Sequence, residues 1–107
     1  LSAEEEPPYQ FIVEVEIHGY AKTLVIGYTA TDGGQSWTYE NVPSGTHTYT
    51  FTLYPEYDYP PQEFFAEAWG PYGAHDRDEC EAQLYYTNYL ELWLGEYPIG
   101  PPLPIIE

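Results

Sequence analysis

The chain has 107 residues, with 18 carboxylates set against only Lys22 and Arg77, a formal charge of -16, and three Trp, thirteen Tyr and four Phe. Nucleic acid and anionic membrane surfaces are excluded as partners, since both demand clustered Lys and Arg. No apolar run approaches the ~20 residues of a membrane-crossing helix, and the length suits one domain built as two packed layers around one core.

Taken in chain order, residues 1–8 are an acidic leader whose Glu4-Glu5-Glu6-Pro7-Pro8 has no apolar period, and it is expected to be disordered or loosely docked. From Tyr9 the pattern is that of strands. Phe11, Val13, Val15 and Ile17 alternate with Ile12, Glu14, Glu16 and His18, which places one apolar row on one face. Gly19-Tyr20 turns the chain. Residues 23–30 are β-branched and apolar enough for a central strand, with Gly27 marking a bulge or a close approach. Asp32-Gly33-Gly34 is a turn, residues 35–40 a short strand, and Pro43-Ser44-Gly45 the next break. Residues 46–54 alternate threonines with His47, Tyr49, Phe51 and Leu53, as a half-buried strand does. A proline and tyrosine loop spans 55–61, and a strand follows over 62–69. Gly70-Pro71-Tyr72-Gly73 then opens a polar loop, His75-Asp76-Arg77-Asp78-Glu79-Cys80-Glu81. Residues 84–94 form the closing strand, and 98–107 a tail too proline-broken for a helix. The expectation is an all-β fold: an antiparallel immunoglobulin-like β-sandwich of six to eight short strands over residues 9–97.

Several stretches resemble the family 21 carbohydrate-binding module, the family of starch- and glycogen-binding domains. They are Tyr20-Ala21-Lys22 before the second strand, the Asp32-Gly33 turn with Trp37, the strand Glu63-Phe64-Phe65-Ala66, and the closing Asn88-Tyr89. The likeness covers about residues 11–92. Gly27 and Gly34 stand where the family has an arginine and a turn tryptophan, and His75-Asp76-Arg77-Asp78 is the nearest stretch to its Trp-Asp-Asn-Asn ligand motif. The resemblance implies a β-sandwich that binds an α-glucan.

Read from the residues alone, the chain has more rings than one small core absorbs, so some must face outward as recognition surfaces. Trp69, Tyr72, Tyr85, Tyr86, Tyr89 and Trp93 are candidates for an aromatic platform near the last strand. With residues from the stretches that carry the resemblance added, the candidate ligand-binding set is Trp37, Trp69, Tyr72, Tyr86, Asn88, Tyr89 and Trp93. Two or three rings stacked at ~0.5 to 1.5 kcal/mol each support only millimolar affinity for one isolated site.

Other chemistry has little to stand on. His18, His47 and His75 are scattered and there is no second cysteine, so no zinc spacing exists and no metal is predicted. Acidic pairs such as Asp76 with Asp78, or Glu79 with Glu81, read as a solvated loop partly neutralised by Arg77. No nucleophile elbow, phosphate-cradling loop or placed lysine is present, so the chain is expected to be non-catalytic. Cys80 is a lone thiol, raised in pKa by neighbouring acids and a candidate for an intermolecular disulfide. A start at Leu1 and the lack of methionine suit a mature secreted product.

The leading expectation is thus a secreted, non-catalytic module that binds a neutral glycan through exposed rings. The alternative is a carrier for an apolar small molecule or carotenoid-type pigment, bound in an aromatic groove shared between chains of a homo- or hetero-oligomer.

Overall fold

The computed structural model describes residues 8–54 and 59–95. The expected tail 98–107, the leader before Pro8 and residues 55–58 of the proline and tyrosine loop lie outside the described residues.

Among the described residues seven strands form: β1 (Tyr9–His18), β2 (Ala21–Thr29), β3 (Gln35–Val42), β4 (Gly45–Leu53), β5 (Glu63–Trp69), β6 (His75–Glu81) and β7 (Thr87–Trp93). They make two sheets, ordered β4-β1-β7 and β3-β2-β5-β6. Every pairing is antiparallel except β1 with β7, which run parallel from Ile12 opposite Thr87 to His18 opposite Trp93. The architecture is the all-β sandwich expected from the periodicity.

The core fills the space between the sheets with the predicted inward rows. Val13, Val15 and Ile17 of β1 meet Leu24 and Ile26 of β2, Phe64, Ala66 and Ala68 of β5, and Leu90 and Leu92 of β7, all essentially without solvent exposure. Phe64 anchors an aromatic cluster, its ring 5.7 Å from Phe11 and 5.4 Å from Phe51. Gly27 is a close approach: a Cβ there would fall 2.3 Å from the Gln35 carbonyl oxygen, so only glycine lets β3 lie against β2 at this register. Gly34, with φ +83 and its amide donating to Asp32 Oδ1, makes the turn between those strands.

Two expectations are corrected. Residues 75–81 are a strand, not a polar loop, and they pair with β5 from His75 opposite Trp69 to Glu81 opposite Glu63. The closing strand starts at Thr87 rather than Leu84, because Leu84 and Tyr85 turn, with Tyr85 at φ 77.

The reason β6 escapes a hydrophobic reading is also what shuts one side of the sandwich. Asp76 and Asp78 accept hydrogen bonds from the backbone amides of Trp93 (2.8 Å) and Glu91 (2.9 Å) on β7, which belongs to the other sheet. Carboxylates thus replace carbonyls in joining the two edge strands. On the opposite side β3 and β4 are also edge strands of different sheets, but there the layers part.

Candidate functional site

The parting of the layers is visible along β3. Trp37 and Tyr39 sit opposite the buried Ile26 and Leu24 and so point to the inner side of their sheet, yet both are about two-fifths exposed. Seven of the eight β3 residues are exposed, with Val42 alone buried. Across the gap, the inward row of β4 supplies Tyr49, Phe51 and Leu53. The result is a groove of about 450 Å³ lined by Tyr28, Gln35, Trp37 and Tyr39 from one sheet and residues 48–53 from the other. That volume falls within the range of roughly 300–1,000 Å³ typical of small-molecule sites.

The rings hold one another in place. Trp37 lies 5.1 Å from Phe51 and 6.3 Å from Tyr28, and Tyr39 lies 5.2 Å from Tyr49. Burial, with a smaller contribution from Tyr39, pushes the Tyr49 hydroxyl above its ordinary pKa, so it stays a neutral donor and acceptor at physiological pH. In a chain with 18 carboxylates, none of those among the described residues lines this groove. It offers rings, threonine and tyrosine hydroxyls and the Gln35 amide.

Of the residues expected to bind ligand, the groove takes Trp37 only. Trp69 is on the outer face of β5, its ring stacked on His75 at 5.2 Å. Tyr72 occupies the 3-10 turn Pro71–Gly73 with φ 59 and is 87% exposed. Tyr86 is exposed in the turn before β7. Tyr89 and Trp93 lie on the outer face of the β4-β1-β7 sheet. There the Tyr89 hydroxyl donates to Glu16 and the Trp93 ring stacks on His18 at 3.6 Å.

Asn88 has a different duty. It is 4% exposed; its Oδ1 accepts from the Gln83 amide (2.8 Å), and its Nδ2 donates to the carbonyls of Ile12, Gln83 and Tyr86. The carboxamide clamps the 83–86 turn to β1.

The expected aromatic excess is present: ten Trp and Tyr side chains among the described residues are exposed. The predicted platform is not a single surface. Its members are divided among two outer sheet faces and two turns. The groove residues Tyr28, Tyr39, Tyr49 and Phe51 were not singled out by sequence reasoning; the alternation of threonine and rings over 46–54 carries their signal.

The acidic β6 face is organised around Arg77. Its guanidinium reaches Glu67 (3.2 Å) and Glu79 (3.0 Å) and lies 4.7 Å from the Phe65 ring centre. A hydrogen bond from His75 (2.7 Å), followed by the charge of Arg77, holds the Glu67 carboxyl below the usual range. Cys80 is half-buried against the core; burial first, then the charges of Asp78 and Glu63, push its thiol up. It is a protonated, poorly nucleophilic thiol at neutral pH.

Comparisons with known proteins return nothing: no family model, no curated protein and no solved structure matches the chain.

Proposed function

We propose that the chain is a non-catalytic binding module that seats a neutral, polyhydroxylated ligand, of the glycan class, in the open groove between β3 and β4. The observation that carries this reading is the composition of the groove: among the described residues it is lined by several rings and hydroxyls and by no charged side chain, in a chain whose net charge is -16. Sugar rings present apolar C–H faces that stack on Trp and Tyr, while their hydroxyls exchange hydrogen bonds with Thr, Tyr and Gln. An α-glucan is the class that the resemblance noted above implies.

A test is retention on an immobilised α-glucan with release by soluble oligosaccharide. Loss of one stacking ring removes ~0.5–1.5 kcal/mol, so Trp37→Ala should weaken retention about 2- to 13-fold while Trp69→Ala leaves it unchanged. Equal loss in both variants, or no retention of the parent chain, defeats the reading.

One observation favours a second reading, an apolar or pigment ligand shared between chains. The β4 strand, Gly45–Leu53, carries no carboxylate, lysine or arginine, and it lies at a sheet edge beside the groove. Exposed uncharged edges pair readily with other chains. A visible absorbance band and a dimeric mass on native material would support this alternative.

A further inference from the structure

We propose that Glu16, His18 and Glu91 form a binding site for a divalent first-row transition-metal ion of the zinc class on the outer face of the β4-β1-β7 sheet. The parallel register of β1 and β7 creates it. Glu16 lies opposite Glu91, and His18 opposite Trp93, so a carboxylate and an imidazole two residues apart on β1 meet a carboxylate from the far end of the chain. One ligand atom from each side chain lies within 4.8 Å of the others. His18 Nε2 is 2.7 Å from Glu91 Oε2 and 3.6 Å from Glu16 Oε2. On a tetrahedral ion with bonds of ~2.1 Å, neighbouring ligand atoms sit roughly 3.4 Å apart, a spacing that the two His18 separations bracket.

The supporting contacts suit a ligand set. Trp93 lies parallel to the His18 ring, 3.6 Å away with 6° between planes, and fixes the plane of the imidazole. Tyr89 donates to Glu16 Oε1, leaving Oε2 toward His18. Outer contacts of this kind orient ligands in metal sites.

Charge supplies an independent argument. Glu16 and Glu91 are directly opposed like charges, an arrangement that weakens a sheet, and Glu14 lies on the same face opposite Tyr89. Among the described residues His18 is the only ion-pair partner of either carboxylate, and Arg77 pairs with Glu67 and Glu79 instead. A bound dication neutralises the opposed pair. The imidazole nitrogen selects a zinc-class ion over calcium or magnesium, which prefer sites built wholly of oxygen, and three protein ligands leave a fourth position for water.

The test is a calorimetric titration of chelator-treated protein with zinc chloride, repeated in excess calcium chloride. One zinc ion per chain should bind, unaffected by calcium, and His18→Gln and Glu91→Gln should each weaken binding roughly tenfold or more, since even outer-shell losses cost 10- to 100-fold. His75→Gln, which alters the other histidine-carboxylate pair, should leave it unchanged. Copper should quench Trp93 fluorescence in the parent chain and not in Glu91→Gln, which keeps the His18–Trp93 stack. Absence of saturable zinc binding, displacement by calcium, or equal affinity in Glu91→Gln overturns the site.

Discussion

Asn88→Ala is the sharpest test of how the β7 end of the sandwich is held. The carboxamide is buried and makes four hydrogen bonds to backbone groups, three of them at 3.0 Å or less. A neutral hydrogen bond contributes about 0.5–1.5 kcal/mol net, and each buried group left unpaired costs about 1–3 kcal/mol. Water can reach the exposed 83–86 turn and compensate part of this, which places the loss at about 2–3 kcal/mol. For a domain of this size that lowers the melting temperature by roughly 10–20 °C. Thermal or urea unfolding followed by tryptophan fluorescence reads the change directly. Asn88→Asp should be at least as damaging at neutral pH, because a buried carboxylate cannot donate to Ile12 and Gln83, and should regain stability as acid protonates it. A loss under about 1 kcal/mol for Asn88→Ala, together with impaired ligand binding, would refute the clamp and return the amide to the ligand.

Two further outcomes follow from the titrating groups. The Tyr89 hydroxyl is pushed up to about 12, chiefly by its hydrogen bond to Glu16, then by partial desolvation and by the charges of Glu16, Glu91 and Glu14. Because the folded value lies above the ordinary value of about 10, the stabilisation is complete below that pH and is lost as pH rises toward 12. In an alkaline absorbance titration Tyr89 should ionise among the last tyrosines, and Glu16→Gln should bring it back toward the others; an unchanged titration in that variant contradicts the assignment. The Cys80 thiol should react with a maleimide more slowly in the folded chain than in denaturant at the same pH. Equal rates would show that neither burial nor Asp78 and Glu63 protect it.

The fold was legible where apolar residues keep a period of two. Phe11, Val13, Val15 and Ile17 announce β1 because each inward position buries hydrocarbon. β6 was not legible, since its inward-turned Asp76 and Asp78 answer backbone amides of β7 rather than a hydrophobic core. Pattern reading detects burial of apolar surface and is blind to a carboxylate used as a ladder partner. The surplus of rings was also legible from composition. Which rings gather was not, because the groove depends on one sheet edge being closed by aspartates while the other remains open. Trp37 carried a signal through the turn before it; Tyr39 and Tyr49 become neighbours only when β3 and β4 fold into different sheets. The Glu16, His18 and Glu91 cluster likewise needs the parallel β1–β7 register, which joins residues 73 positions apart.

Ligand binding at the open edge, and not on the outer faces, is open to direct test. Nuclear magnetic resonance titration with a soluble α-glucan oligosaccharide resolves it, since the three tryptophans give three separate indole N–H signals. Binding in the groove should give saturable shifts of the Trp37 indole and of the backbone amides of residues 48–52, with Trp69 and Trp93 unmoved. Shifts confined to Trp69 or Trp93, or none at any of the three, would contradict it.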